Sequence, residues 1–178
     1  EQVSYVSFPN LFFEIVSTLR IHKLLGDDWM YKKGFLFETE KSKIVQGYVV
    51  ATCLFFDKSV LKKLPNSRLY DEMFLYGEEL FWGYAWSLVG VQGYYFPEKQ
   101  VVHSVGGSEQ KTGEDKLYQR RLYQTQGEHL FLIKHFGKFK TNLIYFLRLL
   151  RWSLNNIFKK DEDITLRKKV LLKVLRNN

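Results

Sequence analysis

Asp71-Glu72-Met73-Phe74-Leu75-Tyr76-Gly77-Glu78-Glu79-Leu80-Phe81-Trp82 places a glycine and two adjacent carboxylates after an aromatic run, at the start of a helix predicted over Leu80 to Val89. Side chains at the start of a helix look outward from its end, so one acid can face a cavity while its neighbour braces it. Downstream, Phe96-Pro97-Glu98-Lys99-Gln100-Val101-Val102-His103-Ser104-Val105-Gly106-Gly107-Ser108 reads as a turn, a short strand over Gln100 to Val102, and a histidine opening a glycine loop. Acids in a first helical turn complement the helix dipole, and most such pairs do no chemistry. The sharper reading makes Glu79 a general base beside a cavity and gives Glu78 the hydrogen bonds that fix the loop. His103 is equally readable as a satisfied histidine at a strand end or as a group beside a phosphate or a metal-bound ligand.

Working outward, the apolar run Ile44 to Phe56 predicts a strand buried on both faces, and Asp57 caps a short helix over Ser59 to Leu64 that Pro65-Asn66-Ser67 ends. Leu11, Phe12, Ile15, Val16 and Leu19 recur at helical spacing, so Pro9 to Leu25 reads as one amphipathic helix stopped by Gly26. Gly26-Asp27-Asp28-Trp29 reads as a solvated turn rather than a metal-binding pair. Beyond a polar loop over Glu109 to Asp115, a helix runs from Lys116 to a stop at Gly137. A second covers Thr141 to Phe158 and a third, capped by Asp161-Glu162-Asp163, covers Ile164 to Arg176. In the second, Leu143, Phe146, Leu147, Leu150, Leu154 and Phe158 share one side, Arg148, Arg151, Asn155 and Lys159 lie towards the other, and Tyr145 and Trp152 sit between.

The net charge of +8 is uneven: residues 1–109 hold 11 Lys and Arg against 13 Asp and Glu, whereas residues 110–178 hold 16 against 6. That asymmetry points to an anionic partner for the C-terminal third, phospholipid or nucleic acid. Its aromatics are interleaved with leucine at core spacing, which favours packing or a membrane interface and makes nucleic acid the weakest choice. The single cysteine, Cys53, lies in an apolar run and is expected to be a buried thiol in a reducing compartment. His22, His129 and His135 read as packing or helix-surface residues. No CxxC, HExxH, P-loop or G-x-S-x-G pattern occurs, and no apolar run reaches the roughly 18 residues of a membrane span. The expected division is a domain over residues 1–137 and a basic amphipathic extension over residues 138–178.

Taken in order, Ala51 to Leu61, Tyr70 to Glu79, Tyr94-Tyr95-Phe96-Pro97 and Val101-Val102-His103 to Gly107-Ser108 resemble the second half of inverting family 2 glycosyltransferases, especially the bacterial rhamnosyltransferase-like members that build surface polysaccharides. The resemblance implies an α/β chain of the GT-A type and catalysis by Glu79 with Glu78. It places Tyr76, Gly77, His103 and Ser108 near the acceptor or the diphosphate, with His103 as a metal contact. It further implies a nucleotide-sugar donor, a saccharide or lipid-linked acceptor, and magnesium or manganese in the complete enzyme. Residues 138–178 would lie on an anionic membrane, at its inner, cytoplasmic face. Phe81 and Ala85 stand where the family pattern has an acid and an arginine, and the family's opening strand and Asp-x-Asp metal loop do not occur here. The sequence is therefore expected to be a C-terminal piece that binds no metal alone. The alternatives are a non-enzymatic membrane-associated α/β module and a basic nucleic-acid-binding domain.

Overall fold

The computed structural model describes residues 5–32, 43–45, 47–50, 53–71, 73, 76–99, 101–102, 114–158 and 161–177. They belong to two compact units, one formed by residues 1–8 and 27–109, the other by residues 9–26 and 110–178. The expected boundary after Gly137 falls inside the second unit, because the helix preceding it packs with those that follow.

In the first unit, β1 (Tyr5–Val6) pairs antiparallel with β3 (Tyr48–Val49), and β2 (Lys43–Val45) pairs antiparallel with β4 (Gly93–Tyr95). The expected long strand over Ile44 to Phe56 is thus two short strands in separate sheets, and it is not buried on both faces: Ile44 and Phe55 are exposed. Val101 and Val102 form no strand and are exposed, and it is β4, upstream of them, that pairs with β2. Cys53 is exposed rather than buried. Asp57 accepts the Ser59 N–H at 2.7 Å and caps a short 3-10 helix, Lys58–Lys63, which a second, Pro65–Ser67, follows.

Helix α3 (Glu78–Leu88) packs on β3, and Gly83 makes the approach possible: a Cβ there would stand 2.5 Å from the Tyr48 Cβ. Phe8 meets the Tyr84 ring edge-on at 5.6 Å and lies over Tyr48 at 6.2 Å. Tyr70 stacks on Phe81 at 4.4 Å, and the Trp82 indole N–H donates to the Tyr70 carbonyl at 2.8 Å, which fastens the chain entering the acid pair to the helix leaving it. Helices and strands are both present, as expected, but helices dominate and the described strands make only two small antiparallel pairs.

The second unit is helical. The N-terminal helix is shorter than expected: α1 (Leu11–Thr18) ends in a turn with Arg20 at φ 60°, where Ile21 N–H reaches Val16 O at 2.9 Å and Arg20 N–H reaches Ser17 O at 3.1 Å. This is a Schellman closure with arginine where glycine is usual. The Arg151 guanidinium also donates to the Ser17 and Thr18 carbonyls at 3.3 and 2.8 Å, satisfying the end of α1 from a distant part of the chain. Helix α2 (His22–Lys32) is broken at Gly26, where the second unit's part of it ends, and the expected Asp27-Asp28 turn, which belongs to the first unit, is helical.

Helices α4 (Glu114–Phe136) and α5 (Lys138–Phe158) meet through Gly137 alone, whose φ of 80° needs no Cβ to be avoided. Thr141 Oγ1 donates back to the Gly137 carbonyl at 3.0 Å. Asp161 caps α6 (Glu162–Arg176) through the Ile164 N–H, as its acidic run predicts. The core joins Leu132 of α4, Ile144 and Tyr145 of α5 and Leu171 of α6, with Leu11 of α1 against it.

Of the two expected orientations of α5, packing or a membrane-facing stripe, the stripe is turned outward, but the polar side differs from expectation. Phe139, Leu143, Phe146, Leu150, Leu154 and Ile157 are exposed, while Thr141, Ile144 and Tyr145 are fully buried and Arg148 turns inward. The apolar stripe is therefore an outer face about 27 Å long at 1.5 Å per residue. Tyr145 belongs to the core and not to the margin of the stripe, and Arg148 and Arg151 do not form an exposed cationic side.

Candidate functional site

The acid pair is positioned by backbone. Tyr76 and Gly77 both take positive φ, 63° and 114°, so the chain turns sharply into α3 with no side-chain N-cap. Glu79 supplies what the cap lacks: its Oε2 accepts the Gly77 N–H at 3.2 Å. Glu78 Oε2 is shielded from solvent and has no hydrogen-bond partner. Desolvation, reinforced by the neighbouring Glu79 charge and opposed by its own backbone hydrogen bond, holds the Glu78 carboxyl above its ordinary value. It is Glu79, rather than Glu78, that accepts the hydrogen bond fixing the turn.

His103 and Ser108 lie outside the described residues, so the expected metal contact and glycine loop do too. Among the described residues no group of three or more His, Cys, Asp or Glu is placed to hold a metal ion.

A second cluster, in the helical unit, was not legible in the sequence. Arg148 reaches Glu14 of α1 at 2.5 Å and Glu128 of α4 at 2.7 Å, joining three helices through one guanidinium. Burial opposes the Arg148 charge, but the Glu128 carboxylate and its hydrogen bond, with Glu14, outweigh it and raise the pKa. Glu14 shares that single cation with Glu128, so burial prevails over the attraction and its carboxyl sits above the ordinary value. Arg121 of α4 and Arg167 of α6 both pair with Asp163. Arg121, Arg148, Arg151 and Arg167 line a cavity of about 370 Å³, together with Gln124 and Trp152. The partners come from helices far apart in the chain, and only the pair Asp163 and Arg167 has the helical spacing that a sequence can suggest. Beside them, His129 is buried with both ring nitrogens unpartnered and stacks on the Tyr145 ring at 5.4 Å. Desolvation lowers its pKa and favours the neutral imidazole, which accords with the expected packing role.

No protein-family model matches this sequence, and no curated protein or solved structure matches it.

Proposed function

We propose that the chain is the acceptor-side, base-bearing part of an inverting glycosyltransferase of GT-A type that works at a membrane surface. The observation that carries the reading is the acid pair at the start of α3, where the Glu78 carboxylate is partly desolvated with its Oε2 unpartnered among the described residues and Glu79 holds the turn. A sugar hydroxyl is a poor nucleophile without a base within hydrogen-bond reach, and a carboxylate with a raised pKa is the better proton acceptor near neutrality. In the proposed reaction the acceptor oxygen attacks the anomeric carbon of a nucleotide sugar as the bond from that carbon to the diphosphate oxygen breaks. The hydroxyl proton passes to the carboxylate and the nucleoside diphosphate leaves. The geometry favours Glu78 for the proton and Glu79 for the brace.

The donor's diphosphate would be neutralised by magnesium or manganese held in a nucleotide-binding half, and the acceptor would be a saccharide or a lipid-linked saccharide at the inner face of a bacterial membrane. Support for the membrane comes from the outward apolar stripe of α5 and the basic surplus of residues 110–178. Among the described residues no helix is long and apolar enough to cross a membrane, so the association proposed is peripheral.

The test measures nucleoside diphosphate release across a panel of nucleotide sugars, using the protein joined to its nucleotide-binding half. Glu78→Gln should abolish turnover while donor affinity holds, because the amide keeps the shape and loses the proton acceptor. Glu79→Gln should be milder and should loosen the turn. The opposite ranking returns the base to Glu79, and near-full turnover in both variants favours the non-enzymatic membrane module.

A further inference from the structure

The cavity between α1, α4, α5 and α6 has more guanidinium groups than carboxylates to answer them. Arg121, Arg148, Arg151 and Arg167 face it, and the carboxylates paired with them are Glu14, Glu128 and Asp163. Four cations thus meet three anions, and the one left over is Arg151. Its guanidinium touches the Ser17 and Thr18 carbonyls through Nη1 and, among the described residues, pairs with no carboxylate and leaves a buried Nε without an acceptor. Arg121 Nε is likewise buried and unanswered. We infer that this cavity is a binding site for a phosphate-bearing ligand, with a diphosphate or phosphomonoester group seated on Arg151, Arg121 and Arg167.

The chemistry favours phosphate over smaller anions. Guanidinium forks from separate helices converge on one space, and a tetrahedral oxyanion with three or more acceptor oxygens can engage several forks at once. Gln124 also lines the cavity and offers an uncharged donor, and Val170, Leu171 and Trp152 add apolar lining. The volume of about 370 Å³ falls within the roughly 300–1,000 Å³ usual for small-ligand sites. The electrostatics are compatible: burial, followed by the like charges of Arg20, Arg148 and Arg167, depresses the Arg151 pKa, and a bound anion would offset those charges. Capping α1 accounts for Nη1 of Arg151 but not for the surplus charge or the two unanswered Nε groups. The inference does not rest on the acid pair of α3, so either reading can fail without the other.

The experiment titrates inorganic pyrophosphate into the whole protein by calorimetry at physiological ionic strength, where loose surface charge is largely screened. Saturable binding is expected, and Arg151→Gln should weaken it at least about tenfold, as the loss of a charge-assisted hydrogen-bonding partner implies. Arg151→Lys should recover part of the affinity. An Arg151→Gln chain that has lost its melting transition is replaced by Arg167→Gln, whose partly exposed side chain is dispensable for packing and whose loss should also weaken binding. A parallel arm uses phosphatidylcholine vesicles with and without phosphatidic acid. Displacement of the protein from phosphatidic-acid vesicles by pyrophosphate assigns the site to a lipid phosphate, and vesicle binding indifferent to both pyrophosphate and Arg151 assigns it to a soluble one. Absence of saturable pyrophosphate binding, or affinity undiminished in both variants, overturns the inference.

Discussion

Replacing Arg148 by methionine removes the guanidinium whose ion pairs tie α1 and α4 to α5, and leaves Glu14 and Glu128 facing each other without that cation. The guanidinium side chain is 17% exposed, Glu14 is 13% exposed and Glu128 is 33% exposed. Breaking a buried ion pair from one side costs about 3–5 kcal/mol, and the access of water to Glu128 puts this case near about 3 kcal/mol. That is roughly two orders of magnitude in the opening equilibrium of α1, an eight-residue helix too short to persist unsupported. Amide hydrogen exchange reads it directly: α1 protection should fall about 100-fold, and adding Glu14→Gln should restore a good part. The pH dependence gives a second check. Glu14 already has a raised pKa, so its favourable contribution is complete below the ordinary 4.5 and is lost as pH rises through the folded value. Removing Arg148 raises that value further, so acidification from neutrality should narrow the gap between variant and wild type. A loss below about 1 kcal/mol, or a gap that widens in acid, would refute the reasoning.

Gly83→Ala gains helix propensity of about 1 kcal/mol but drives a Cβ to 2.5 Å from Tyr48 Cβ and 3.0 Å from Tyr48 Cα, so β3 must shift; a net loss of about 1–2 kcal/mol is expected in urea unfolding, and a stabilised variant contradicts the packing. Because Glu78 is raised, its contribution to stability is full below 4.5 and declines as pH rises through the folded value; thermal melting over pH 4.5–7 should show this slope in wild type and lose it in Glu78→Gln. Phe146→Ser combined with Leu150→Ser, both on the exposed face of α5, should leave the melting temperature nearly unchanged while reducing sedimentation with anionic vesicles about tenfold or more; equal binding removes the membrane role. Substitution is preferable to deleting residues 138–178, since α5 and α6 supply the core of their unit.

Local chemistry made the helix ends legible. Asp57 and Asp161 cap where an acid precedes a helix, and Gly137 turns where a glycine interrupts the apolar pattern. The start of α3 at the acid pair follows from the same kind of signal, because a residue's own backbone and its nearest neighbours decide it. The roles within the pair did not follow. Which carboxylate reaches back to the Gly77 N–H depends on the turn made by two consecutive positive φ values, at Tyr76 and Gly77.

Periodicity identified the apolar stripe of α5 but not its direction. A helix with one apolar side is ordinarily built to hide it, yet here Ile144, Tyr145 and the Arg148 ion pairs take the interior. Burying Arg148 is tolerable only because Glu14 and Glu128 arrive from other helices, and neither is near it in sequence. The same non-local supply of partners created the arginine-lined cavity and ended α1 early, with Arg151 answering carbonyls more than 130 residues away. Sequence by itself determined where helices begin and end when their caps are local. Only tertiary structure decided which faces turned inward, because the desolvation of a charge is settled by partners that the fold alone brings within reach.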